Sequence, residues 1–134
     1  MIRGRVMAHI LVVDDEPEIV KLVAKVMEAR GHRVTMGHDG QEALDLVAKE
    51  RPDVLVLDLN LPKVDGLEVC RRLKGAPETE NLPIVMMTAA FPSVDDADRG
   101  LTLGADEYVV KPFLREVLVH NVERLLASSK QTPL

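Results

Sequence analysis

Residues Val54-Leu55-Val56-Leu57 form an unbroken apolar run that ends in Asp58. Consecutive apolar residues without polar alternation fit a strand buried on both faces, the kind found in parallel sheets. The aspartate stands where such a strand would end. In open α/β sheets the carboxyl ends of the strands are where ligand crevices form. Taken alone, Asp58 is either a turn or cap residue, which Asp favours for local hydrogen bonding, or a reactive group.

The pattern recurs along the chain. Ile10-Leu11-Val12-Val13 runs into Asp14-Asp15, Ile84-Val85-Met86-Met87 into Thr88, and Glu107-Tyr108-Val109-Val110 into Lys111-Pro112. A shorter strand is expected over 33–37. Glu16-Pro17-Glu18 is a helix start signal. Ile19, Val20, Val23, Val26 and Met27 follow at helical spacing, and Gly31 is the expected stop. Asp39-Gly40 reads as a turn before a second helix marked by Ala43, Leu44, Leu46 and Val47. Leu61 to Gly66 is dense in turn residues. Leu67, Cys70 and Leu73 then share one helical face, and Pro77 to Pro83 is a polar connection. Ser93, with Asp96 three residues on, predicts the start of a fourth helix reaching Leu103. Phe113, Val117, Leu118, Val122 and Leu125 mark the last helix.

Five strands alternating with five helices predict an α/β fold with a parallel sheet covered on both faces. Right-handed crossovers leave few topologies. A flavodoxin-like (βα)5 doubly wound sheet, strand order 2-1-3-4-5, is the expected solution. Its switch point lies between strands 1 and 3, which end in Asp14-Asp15 and Asp58. Residues 8–127 are read as one domain, 1–7 as an N-terminal extension and 128–134 as a tail or the start of a linker.

Composition narrows the function. A net charge of −5 argues against a nucleic-acid surface, which needs a basic footprint. The single cysteine, Cys70, excludes an intramolecular disulfide framework and suits a reducing compartment. No apolar stretch approaches the roughly 18 residues of a membrane span, and no signal-peptide pattern follows the N-terminus. A cytoplasmic location is expected. The four histidines, His9, His32, His38 and His120, lack metal-ligand spacing and read as surface or structural.

The predicted sheet gathers Asp14, Asp15, Asp58, Thr88 and Lys111 on one edge. Clustered carboxylates repel and raise one another's pKa. A hard divalent cation relieves that repulsion, and Mg²⁺ prefers a few carboxylate oxygens with waters and phosphate oxygens. Lys111 adds a positive charge and Thr88 a hydroxyl. Such a set suits a phosphoryl group, and a carboxylate can itself be the nucleophile. No Walker-type loop is present, so ATP is not the obvious donor.

These residues, in this order and at these strand ends, resemble a response-regulator receiver domain, the phosphoacceptor module of two-component signalling. Asp14-Asp15, Asp58, Pro62, Gly66, Thr88-Ala89 and Lys111-Pro112-Phe113 carry the resemblance over residues 8 to 127. It implies that Asp58 accepts a phosphoryl group from a phosphohistidine on a sensor kinase or a histidine phosphotransfer protein. Asp15 and Asp58 would bind Mg²⁺, with the Asn60 carbonyl as a third protein ligand and Asp14 acting through a metal-bound water. Thr88 and Lys111 would contact the phosphoryl oxygens, and the Lys111–Pro112 bond is expected to be cis. The implied protein is a regulator, not an enzyme, although it catalyses its own phosphorylation and dephosphorylation.

The resemblance also implies a switch. Thr88 moves toward the phosphoryl group and Tyr108 turns inward. The face made by the fourth helix, the fifth strand and the fifth helix then changes for a downstream protein, a missing effector domain or a second copy. Small Ala89 and Ala90, with Asn60 near the acceptor, predict a phosphorylated state that is not exceptionally long-lived. Gly100 departs from the alanine usual in the family and weakens the fourth helix by roughly 1 kcal/mol. A phosphorylation-independent docking module of the same fold is the alternative. A haloacid-dehalogenase type phosphatase fits poorly, because Asn60 stands where its second aspartate would be.

Overall fold

Side chains alternate between the two faces of a strand, and here, among the described residues, each face meets its own pair of helices. The computed structural model describes residues 7–88 and 104–130. The strands are β1 (His9–Val13), β2 (Arg33–Gly37), β3 (Val54–Asp58), β4 (Ile84–Thr88) and β5 (Glu107–Val110). The helices are α1 (Pro17–Ala29), α2 (Gly40–Lys49), α3 (Gly66–Lys74) and the final helix, here α4 (Arg115–Lys130). All neighbouring strands are parallel, in the expected order β2-β1-β3-β4-β5. The helix expected over 93–103 lies outside the described residues, as do Ala89, Ala90 and Gly100.

The three inner strands are buried along their whole length, as their continuous apolar runs require. Ile10, Val12, Val54, Val56, Val85 and Met87 pack on Val20, Val23 and Met27 of α1 and on Leu118, Val122 and Leu126 of α4. Leu11, Val13, Leu55, Leu57, Ile84 and Met86 face the other way, against Ala43 and Val47 of α2 and Val69, Cys70 and Leu73 of α3. Each fully buried aliphatic side chain contributes roughly 1.5–3 kcal/mol, so this double core fixes the strand register.

Two helix faces differ from expectation. In α3 the buried stripe is Val69, Cys70 and Leu73, while Leu67 is only half-buried. In α4 the stripe is Leu118, Val122 and Leu126, and Val117 is 44% exposed. The helix begins at Arg115, and Phe113 before it and Leu125 within it pack partly buried against the same core, as expected.

Helix ends are set locally. Asp39 does not sit in a free turn: its Oδ1 accepts from Glu42 N at 2.7 Å and caps α2. Asp65 Oδ1 does the same for α3 through Glu68 N at 2.9 Å. Such caps contribute about 1 kcal/mol each. α1 starts at Pro17 without a side-chain cap. It ends as expected at Gly31, where Gly31 N donates to Glu28 O and His32 N to Met27 O, the paired bonds of a Schellman motif.

Candidate functional site

The register brings the strand ends level. Val13 pairs with Leu57, so Asp14 and Asp58 are the next residues on adjacent strands. Asp58 pairs with Met87, and Thr88 with Val110, which puts Thr88 one step and Lys111 two steps further out. The backbone continues the ladder there: Leu59 N donates to Met87 O and Lys111 N to Thr88 O, both at 2.8 Å. The Lys111–Pro112 peptide is cis, as expected.

Lys111 joins the acidic groups. Its Nζ lies 2.6 Å from Asp14 Oδ2, 2.9 Å from Asp58 Oδ1 and 3.5 Å from Glu16 Oε1. Asp14 is fully buried and Asp58 is 5% exposed. Burial pushes the Asp58 carboxyl up to about 6, against the Lys111 hydrogen bond; the neighbouring Asp14 and Asp15 charges push the same way as burial. Burial alone would lower the Lys111 ammonium, but its hydrogen bonds to Asp14 and Asp58 outweigh that and hold it above its ordinary value. The pair is thus an ionised lysine set against a carboxylate that is costly to ionise.

One carboxylate oxygen each from Asp14, Asp15 and Glu16 lie within 4.8 Å of one another. Asp15, Glu16, Asp58, Asn60 and Lys111 line an open cleft of about 270 Å³ over this corner. Hard oxygen donors crowded at the rim of a solvent-filled cleft suit a divalent cation that keeps part of its water shell. Glu16 was not among the expected ligands. Its position directly after Asp14-Asp15 was the available signal, masked because an acidic residue before proline is also an ordinary helix start.

The remaining expected residues divide. Asn60 is exposed and lines the cleft. Thr88 stands at the same sheet edge but is 2% exposed and is not among the residues lining the cleft. Tyr108 is half-buried on β5 and packs against the core cluster under α2 and α3. His9 and His32 are buried and hydrogen-bonded, His9 Nε2 to Thr35 Oγ1 at 2.7 Å and His32 Nδ1 to Ala8 N at 3.2 Å. His38 and His120 are exposed.

The loop after Asp58 is held from two sides. Gly66 N donates to Leu59 O at 2.9 Å, and Gly40 N to Pro62 O at 3.2 Å. A side-chain carbon at Gly40 would stand 1.6 Å from the Val64 carbonyl oxygen, so the first turn of α2 rests directly on the loop backbone.

Residues 10–123 match the family model for the response regulator receiver domain. The response regulator MprA of Mycobacterium tuberculosis is 45% identical over 122 residues, which are 91% of this chain and 52% of that protein. The chain therefore spans about half the length of the curated relatives it matches. Among solved structures, the signal receiver domain of a signal transduction histidine kinase from Syntrophus aciditrophicus superposes with a TM-score of 0.86 at 32% identity, covering 94% of this chain and 95% of that one. The chemotaxis response regulator CheY4 of Vibrio cholerae superposes at 0.83 with 32% identity, covering 90% and 99%. Fold, strand-end chemistry and sequence likeness agree, and the chain belongs to the response regulator receiver domain family.

Proposed function

We propose that this receiver domain takes a phosphoryl group onto Asp58 from a phosphohistidine of a sensor kinase or a histidine phosphotransfer protein. The observation that carries this reading is the Lys111 ammonium held between Asp14 and Asp58, beside a carboxylate cluster and over an open cleft. A carboxylate oxygen of Asp58 attacks phosphorus, the bond from phosphorus to the imidazole nitrogen breaks, and the product is a mixed acyl phosphate. At neutral pH most of the Asp58 population is ionised, since its pKa lies near 6, so the nucleophile is available without a separate base.

Lys111 then has a second task. Acyl phosphate formation removes the carboxylate charge it was pairing, and the ammonium is left beside the new phosphoryl oxygens, where it offsets their charge. Asp14 keeps it in place from the buried side. Asp15, Asp58 and the Asn60 carbonyl would hold Mg²⁺, with Asp14 behind them. When bound, Mg²⁺ would neutralise charge on the phosphoryl and carboxylate oxygens. The exposed Asn60 stands where it can orient a water for hydrolysis, which gives the domain its own dephosphorylation and a moderate phosphorylated lifetime.

The readout is a population shift. Charge transfer at Asp58 biases Thr88 and Tyr108 between two positions, and the surface around β5 and α4 reports the change to a partner. That partner is a downstream protein, an effector domain on the same polypeptide, or a second copy. No helix among the described residues is long and apolar enough to cross a membrane. A cytoplasmic setting fits the kinase chemistry.

Intact-protein mass after incubation with Mg²⁺ and acetyl phosphate tests the reading. A single phosphoryl adduct, lost in Asp58→Asn and in EDTA, is expected. No adduct with acetyl phosphate or with a phosphorylated kinase would leave the fold acting as a docking module.

A further inference from the structure

Asp14 is the acidic residue least available to a cation. It is fully buried. Its Oδ1 accepts from Glu16 N at 2.9 Å and its Oδ2 from Lys111 Nζ at 2.6 Å. Both oxygens are therefore already engaged, one by the start of α1 and one by the lysine. Asp58 gives its Oδ1 to the same ammonium. The two exposed carboxylates of the corner are Asp15 and Glu16, which both line the cleft.

Glu16 is placed to exchange partners. Its side chain is 61% exposed, and its one ion pair among the described residues, to Lys111, is 3.5 Å long. Ion pairs of that exposure and length contribute little, so little is lost when the carboxylate turns elsewhere. Glu16 caps no helix N–H with its side chain, so no structural bond competes. One of its carboxylate oxygens already lies within 4.8 Å of an oxygen of Asp14 and of Asp15.

We infer that Glu16 is a further positioning residue of the cation site: it pairs with Lys111 when the site holds no cation and swings to the cation, directly or through a bound water, when one enters. The inference rests on the cation-dependent reading of this cleft. It divides the acidic corner into two working parts. Asp14 is committed to fixing Lys111 and the first turn of α1. Asp15 and Glu16 present the mobile negative charge that draws a divalent cation to Asp58. Loss of Glu16 from Lys111 would also leave the ammonium with only Asp14 and Asp58.

Isothermal titration of Mg²⁺ into the unphosphorylated protein tests it, without reference to any activity. The proteins are the parent, Glu16→Gln and Asp15→Asn, with unfolding of each in EDTA as the control for folding. Glu16→Gln is isosteric and unfolds like the parent in EDTA. It is expected to bind Mg²⁺ about five- to thirty-fold more weakly, the effect of one charge near a divalent ion in a solvent-screened site. Asp15→Asn is expected to lose measurable binding. If Asp15→Asn abolishes binding while Glu16→Gln binds as tightly as the parent or tighter, the role given to Glu16 is overturned and the cation site stands. If neither substitution changes the titration, the cation site itself is wrong, and Glu16 with it.

Discussion

Gly66 rests against the backbone of Asp58: a side-chain carbon at position 66 would stand 2.2 Å from the Asp58 carbonyl oxygen. The same carbon would lie 2.8 Å from the Leu59 carbonyl oxygen and 2.9 Å from Leu59 Cα. All three obstacles are backbone, so no rotamer change relieves the clash. Gly66 is thus the contact through which the start of α3 sets the position of Asp58, the proposed acceptor.

Gly66→Ala is expected to destabilise the fold by about 1–3 kcal/mol, the usual cost of overpacking. It should also slow phosphorylation of Asp58, because the backbone that must yield belongs to Asp58 and Leu59. Urea unfolding and the rate of adduct formation measure the two effects. A variant as stable as the parent would show that the loop gives way freely.

Asp58→Asn should stabilise the protein in EDTA, in a way that depends on pH. The carboxyl is raised from 3.8 to about 6 in the folded state. The folded protein therefore holds this proton more tightly than the unfolded chain does. The sign follows from linkage: below pH 3.8 the group costs nothing, and the cost grows as pH rises until it is complete above pH 6. The advantage of the asparagine should rise across that window to about 1–3 kcal/mol at pH 7. Unfolding free energies at pH 4.5 and pH 7 decide it. An advantage that shrinks as pH rises would contradict the burial argument.

The sheet was legible because its three inner strands are continuous apolar runs, and each run ends in the polar residue that the register then places at one edge. Asp14, Asp58 and Lys111 could be foreseen from that alone. Asp39 could not be told from a turn residue, since caps and turns select the same side chains for the same local hydrogen bonds. In α4 the expected Leu118 and Val122 face the core with Leu126, but adjacent Val117 and Leu118 cannot both lie at the centre of one stripe, and packing leaves Val117 exposed. Glu16 was missed because a carboxylate beside proline has a complete explanation in helix initiation. Only the distances to Lys111 and Asp15 give it another.

Lys111→Met should be costly in EDTA and less so with Mg²⁺. The substitution leaves Asp14 and Asp58 buried without their ammonium. Removing one member of a buried ion pair costs about 3–5 kcal/mol. A divalent cation bound at the acidic corner would restore part of that. Thermal unfolding with and without Mg²⁺ should therefore show a larger Mg²⁺ shift for Lys111→Met than for the parent. An equal or smaller shift would mean that the cation and the lysine do not offset the same charges.

Far from the cleft, a buried histidine ties three elements together. Ala8 N donates to His32 Nδ1, so the hydrogen is on Nε2, which donates to Glu123 Oε2 at 3.1 Å. Arg30, at the end of α1, grips the same carboxylate through Nε at 3.0 Å and Nη2 at 2.7 Å. The Arg30 hydrogen bond is the main reason the Glu123 carboxyl lies below its ordinary value. The two partners of Glu123 should not contribute equally. Arg30 is about half exposed and His32 is buried. Arg30→Ala removes a solvent-screened pair and should cost under about 1 kcal/mol. Glu123→Ala strands a buried N–H and should cost about 1–3 kcal/mol. The parent's advantage over Glu123→Gln is present above pH 4.5 and is lost as pH falls through the depressed folded value. Unfolding of the three variants at pH 7 and pH 3.5 checks both statements, and equal costs for Arg30→Ala and Glu123→Ala would place the energy in the surface pair rather than in His32.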